Sequence, residues 1–118
     1  MTPWAYDIAV RWSKQNKEFV KRAGYAMMAY LAVHDKGARD QKFLRFFSHL
    51  KRVATDERNF VKKAVNWAVR QIGKRNVRLN KAAIQLAKRI HAIGVPSSRW
   101  IASDALRELT SKNVRKRL

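Results

Sequence analysis

The chain has 118 residues, 47% of them hydrophobic, and its 27 Lys and Arg against 8 Asp and Glu give a formal charge of +19. That length and apolar content suit one folded domain and argue against a disordered chain. The cationic excess goes far beyond what solubility requires and points to a polyanionic partner, DNA or RNA first; because the cations are spread over several segments, a single membrane-surface anchor is a poor fit.

In chain order, Thr2-Pro3 reads as an N-cap followed by proline at the first helical position, opening a helix to about Gln15. Asn16 is placed to cap a second helix that ends near His34. The Asp35-Lys36-Gly37 turn leads into a third from Arg39 to Ala54, and Thr55 or Asp56 caps a fourth that stops at Gly73. A fifth runs from Val77 to Ile93. Gly94-Val95-Pro96 breaks it, Ser97 or Ser98 caps a sixth to about Thr110, and 111–118 is a basic tail. Two prolines, four glycines and no alternating β-branched runs leave little room for strands.

The second, fourth and sixth helices repeat. Phe19, Phe60 and Ile101 are each 41 residues apart, as are Ala23, Ala64 and Ala105; Gly24, Val65 and Leu106 follow, then Met27, Ala68 and Leu109. A period of that size with two helices per unit predicts an all-α, HEAT-like or armadillo-like short right-handed solenoid of about three pairs, spanning 1–118 as one domain. The first helices of the pairs align poorly, so a plain helical bundle is the competing architecture.

On the fourth helix, Val61, Val65, Ala68 and Ile72 cluster on one side as a core stripe, and Trp67 points well away from them. Its neighbours one turn either way are Lys63, Arg70, Gln71 and Lys74, a flat aromatic surface within a ladder of positive charge, suited to base or sugar contact beside phosphates. The plainer reading is a Trp packed against the next helix under lysine stems. In the 41-residue frame Arg22, Lys63 and Asp104 are equivalent, as are Ala26, Trp67 and Glu108, so the first two units present Arg22, Lys63, Trp67, Arg70 and Lys74 on one surface. The third unit offers Asp104 and Glu108, which read as a salt-bridged pair rather than a general base.

Other chemistry finds little support. His34, His49 and His91 lack metal-ligand spacing, there is no cysteine for disulfide or thiolate chemistry, and neither a glycine-rich phosphate loop nor a nucleophile elbow occurs. Asp40, Asp56 and Glu57 sit where helix starts favour negative charge. Trp12 and Trp100 fall where core filling between helices is the expected role. No apolar run near 18 residues and no signal-peptide pattern occurs, since the first turn already carries Trp4, Tyr6 and Asp7. The reading is a soluble intracellular protein, cytoplasmic and associated with the nucleoid through DNA.

The stretch from Asn16 to Gly24, followed by that from Asn59 to Arg70, resembles the DNA alkylation repair enzyme family, the AlkD-like alkylpurine DNA glycosylases, and Ser98 to Leu109 resembles the C-terminal part of one branch. The resemblance covers nearly the whole chain. It implies a HEAT-like solenoid whose concave cleft holds duplex DNA and hydrolyses the N-glycosidic bond of N3- or N7-alkylated purines, with no metal and no cofactor. Arg22 matches an arginine used near the DNA backbone and the lesion, and Trp67 an aromatic residue that cradles the lesion nucleotide; Lys63 and Arg70 fall beside it, toward the phosphates. The family's catalytic aspartate belongs to a Trp-Asp motif a few dozen residues upstream of the position matched by Arg22, and Trp4 with Asp7 is too close to replace it. The expectation is therefore the C-terminal half of such an enzyme, either a truncated reading frame or a chain that takes its N-terminal helices from elsewhere. DNA binding should survive better than catalysis, and the open end could self-associate or bind an N-terminal partner segment. The rivals are a basic helical RNA-binding, ribosome-associated protein and a helical-repeat scaffold for an acidic protein.

Overall fold

The computed structural model describes residues 3–118, so the proposed Thr2 cap lies outside the described residues. Eight α-helices follow one another: α1 (Pro3–Ser13), α2 (Glu18–His34), α3 (Asp40–Leu44), α4 (Phe47–Arg52), α5 (Asn59–Gly73), α6 (Val77–Ile93), α7 (Pro96–Leu109) and α8 (Lys112–Arg117), with a 3-10 turn at Val53–Thr55. No strand occurs among the described residues. α1 packs on α2 and α6 on α7 as antiparallel hairpins, while α2 packs along α5 and α5 along α7. The second helices α2, α5 and α7 form one layer; the first helices, α1, the α3–α4 pair and α6, form the other. The Cα extents of 39 × 36 × 18 Å fit a slab two helices thick, the arrangement of a helical-repeat fold.

The 41-residue frame is visible in the packing. Ala64 and Ala105 are buried with Ala68 and Leu109, and Ala23 is half-buried. Where the frame has Val65 and Leu106, the first unit has Gly24. A Cβ at Gly24 would lie 2.7 Å from the Ala9 carbonyl oxygen and against the backbone of Ser13, so α1 and α2 approach too closely for a side chain.

Several helix ends differ from expectation, each because a tertiary partner replaces a local one. The N-cap of α2 is Lys17 and not Asn16, whose carbonyl instead accepts a bond from Arg58 Nη1 at 2.8 Å. The predicted third helix is broken: at Arg45–Phe46 the backbone tightens, with Phe46 N–H bonding the Phe43 carbonyl at 3.0 Å. That 3-10-like step brings positions three apart onto one face, and Phe43 and Phe46 are both buried against Tyr6, with ring centroids 5.8 and 5.9 Å away. The N-cap of α5 is Arg58, with neither Thr55 nor Asp56 in that role. For α7 the N-cap is Val95, whose N–H donates to Ser98 Oγ at 3.1 Å, and Glu57 Oε2 accepts the Ser97 N–H at 3.1 Å. Gly94 does end α6 in the left-handed region, at φ 83°. Ser111 caps α8, which buries Val114.

Arg75, just past α5, clamps the far end of α2. Its Nη1 donates to the carbonyls of Ala32 and Asp35 at 2.9 and 3.0 Å, its Nη2 to that of Ala38 at 3.1 Å, and its guanidinium lies 4.2 Å from the Phe43 ring centroid. Ala32 lies in the last turn of α2, Asp35 is its C-cap and Ala38 is in the loop beyond, so the cation sits at the negative end of the helix dipole.

Two alanine substitutions check this packing. Gly24→Ala should lower stability by about 1–3 kcal/mol, because the clash with backbone outweighs the roughly 1 kcal/mol helix-propensity gain. Gly37→Ala, where a new Cβ meets nothing within 4 Å, should leave denaturant midpoints almost unchanged. Equal midpoints for the two variants would contradict the close α1–α2 approach.

Candidate nucleic-acid interface

On α5 the residues opposite the buried stripe of Val61, Val65, Ala68 and Ile72 are Phe60, Lys63 and Trp67, spaced i, i+3 and i+7 on one face. Beside them on parallel α2 run Arg22 and Ala26. Because Ala26 and Ala64 are small, the two helices leave a shallow hollow of about 180 Å³ lined by Arg22, Ala26, Phe60, Lys63, Ala64 and Trp67. Trp67 is 37% exposed, so part of its ring is open to solvent. The Arg22 guanidinium lies 5.8 Å from the Phe60 ring centroid, and the Phe19 ring lies 5.8 Å on the other side of Phe60.

Arg22, Lys63 and Trp67 are thus brought together. Arg70 and Lys74, further along α5, line no part of the hollow and face α7. Arg70 Nη1 meets Glu108 Oε1 at 3.2 Å, its Nε donates to Asn66 Oδ1 at 2.8 Å and approaches Asp104 Oδ2 at 3.7 Å, and Lys74 Nζ meets Glu108 Oε2 at 3.3 Å. Burial alone would push the Glu108 carboxyl up, yet Lys74 and Arg70 outweigh it and hold the group below the usual carboxylate range. Asp104 and Glu108 are therefore salt-bridged, as expected of the pair, and their partners are the α5 cations that the sequence assigns to the binding surface. No carboxylate lines the hollow among the described residues, and among them no group of three or more His, Cys, Asp or Glu is placed to hold a metal.

Sequence reasoning missed Phe19 and Phe60 as surface residues. Their place in an apolar repeat suggested packing, but only the third member, Ile101, is fully buried; Phe19 is 64% exposed and Phe60 46%. The legible signal was the seven-residue spacing from Phe60 to Trp67, which puts both on one helix face. Trp12 and Trp100 are corrected too: both stand about two-fifths exposed and neither fills the core. Trp12 borders a surface depression near Gln15 and Val20, and Trp100 carries Lys62 Nζ 5.5 Å from its ring centroid.

The hollow is held in register by Asp56. Its Oδ2 meets Lys21 Nζ of α2 at 3.2 Å and Arg58 Nη2 at 2.8 Å, while Oδ1 accepts the Arg58 N–H and Nε at 3.0 and 3.1 Å. The hydrogen bonds from Arg58 hold the Asp56 carboxyl far below the usual carboxylate range, against the opposing effect of burial.

Three stacked helix pairs presenting an aromatic hollow among cations, on α2 and α5, define a helical-repeat protein. Residues 3–112 match the family model described as DNA alkylation repair enzyme, and the chain belongs to that family, which supports a role in DNA repair. No curated protein and no solved structure matches the chain. No helix among the described residues is long and apolar enough to cross a membrane.

Asp56→Asn tests the hub. Removing the charge-assisted bonds should cost about 1–3 kcal/mol at neutral pH. Because the folded-state carboxyl titrates below the roughly 3.9 of an unfolded Asp, its contribution is full above that value and fades as pH falls toward the folded-state value. Urea melts of wild type and variant should therefore converge between about pH 4 and pH 2. A gap of constant size over that range would show that Asp56 is not the titrating partner.

Proposed function

We propose that the chain binds duplex DNA across the α2–α5 face and holds an alkylated or otherwise disturbed nucleotide at the hollow. Family membership and the net charge favour nucleic acid; the observation that carries the reading is the meeting of Arg22, Lys63, Phe60 and Trp67 around one hollow. Alkylation at N3 or N7 of a purine leaves a cationic base, and an exposed indole or phenyl face attracts such a cation through its quadrupole. Arg22 and Lys63 would repel the base at close range, but at the rim they serve the flanking phosphates. The division of labour is aromatic faces for the lesion and cations for the backbone.

Glycosidic cleavage is the less supported half of the family's activity here. Breaking the N-glycosidic bond builds positive charge on the sugar, and a carboxylate aimed at that charge or at the attacking water is the group that accelerates it. The hollow supplies none among the described residues. On α7, Asp104 pairs with Arg70 and Glu108 with Arg70 and Lys74, and those cations hold the Glu108 carboxyl below its usual range, which makes it a weak base. Binding and marking of a lesion is accordingly the function assigned to this chain, with hydrolysis requiring a carboxylate from another element.

Fluorescence anisotropy on labelled duplexes tests the reading. With about 4–8 phosphates neutralised, log K should fall against log salt with a slope of about −4 to −7. Trp67→Ala should weaken the preference for a duplex with an abasic site or 7-methylguanine by about 1–3 kcal/mol, the scale of one stacking contact. Lys63→Ala should weaken all duplexes alike and reduce the slope by about one, and Lys74→Ala, whose charge is already shared with Glu108, should do less. Little or no free 7-methylguanine should appear on prolonged incubation. A salt-independent affinity, or a lesion preference untouched by Trp67→Ala, would contradict the reading.

A further inference from the structure

A second convergence of basic groups, outside the hollow, lies between α1, α2 and α4. There a cavity of about 170 Å³ has Ser13, Lys14, Lys21, Tyr25, His49 and Arg52 as its polar lining. It shares no residue with the hollow. Lys21 and Arg22 are consecutive on α2 yet splay about 100° apart, one toward each depression.

The cavity is built rather than incidental. Tyr25 is buried, and its phenol donates to the His49 carbonyl at 3.1 Å, tying α2 to α4 across the floor. Lys21 is fixed by Asp56 at 3.2 Å, and that carboxylate is already engaged by Arg58. Lys14 and Arg52 form no ion pair among the described residues, so their charge is uncompensated. Burial, then Arg52 and Lys14, push the His49 imidazole down from its ordinary value. The Ser13 and Tyr25 hydroxyl protons are given to the Val10 and His49 carbonyls, so three cations and a neutral imidazole facing one space with no free carboxylate are the complement of a small, multiply charged anion.

We propose that this cavity is a second binding site, for a phosphate-class oxyanion, with Lys14, Lys21 and Arg52 supplying charge and His49 supplying a directional bond. A backbone phosphate of nucleic acid and free inorganic phosphate carry the same recognisable chemistry. The site stands apart from the DNA reading of the hollow, since free phosphate alone would suffice to fill it.

His49 is the natural reporter, because an anion beside it removes the repulsion that disfavours its protonated form. The test is a pH titration of the His49 ring by NMR on the full chain, alone, with inorganic phosphate, and with a short undamaged duplex. Occupancy should raise the His49 midpoint by about one pH unit. Lys14→Gln with Arg52→Gln, both exposed, should abolish that rise, whereas Lys88→Gln on α6 should not. The double variant raises the His49 midpoint of the free chain by itself, so each protein is compared with and without the anion, and its thermal midpoint confirms folding. A rise with duplex alone assigns the site to a backbone phosphate; a rise with inorganic phosphate alone assigns it to a free anion; a rise in both arms means that it takes either. No rise in either arm, or one that survives the double substitution, overturns the site. Failure of the hollow is read separately, from duplex affinity in Trp67→Ala.

Discussion

The face between α2 and α5 depends on charged side chains that fasten backbone at both ends of the helix pair. At one end Asp56 joins Lys21 and Arg58, and Arg58 in turn reaches the Asn16 carbonyl. At the other, Arg75 holds the carbonyls of Ala32, Asp35 and Ala38. Between these ends, at the hollow, stand the small residues Ala26 and Ala64, which allow close approach but do little to fix a sliding register. Anchoring the ends therefore determines where Arg22, Lys63 and Trp67 stand relative to one another. The hollow exists because that register sets Ala26 of α2 beside Trp67 of α5.

Charge is distributed with the same economy of acids. Of the few carboxylates, Asp56 sits in the α2–α5 junction, Asp40 receives Asn76 at 2.9 Å, Asp35 receives the Tyr6 hydroxyl at 2.7 Å, and Glu57 meets the start of α7. Asp104 and Glu108 balance Arg70 and Lys74. These acids hold helices together and sit at helix junctions, and the cations left over face solvent. The third unit is thereby the least positive part of the second-helix layer, and the first two carry its positive field. The remaining surface is also cationic, so long-range attraction to a polyanion needs no precise orientation, and the hollow would select among encounters.

What the sequence discloses follows the range of the interactions involved. Helical period, the Gly94 stop and the 41-residue repeat are local or periodic, and α6 has the boundaries read from its residues, Val77 to Ile93. The capping residues of α2, α5 and α7 were misplaced because the Asn16 carbonyl and the Ser97 hydroxyl meet partners about 40 residues away, and the Asp56 carboxylate is taken by Arg58 and by Lys21 of α2. The break at Phe46 was invisible because it answers to Tyr6 on α1. Of the face, Arg22, Lys63 and Trp67 were legible from one helix and its repeat; the neutralisation of Arg70 and Lys74 by Asp104 and Glu108 was not, because it depends on how α7 packs along α5. The exposure of Phe19, Phe60, Trp12 and Trp100 follows from packing space, which residue type does not encode.

The central claim is that one face, α2 with α5, meets the duplex. Chemical-shift mapping of the 15N-labelled chain with a short duplex in moderate salt addresses it directly, since each tryptophan has its own indole N–H signal. The account predicts that the Trp67 indole and the amides around Arg22, Phe60 and Lys63 move most, while the Trp100 indole and the exposed side of α6 stay near their free positions. Largest changes on α6 or α8, with Trp67 unmoved, would contradict it.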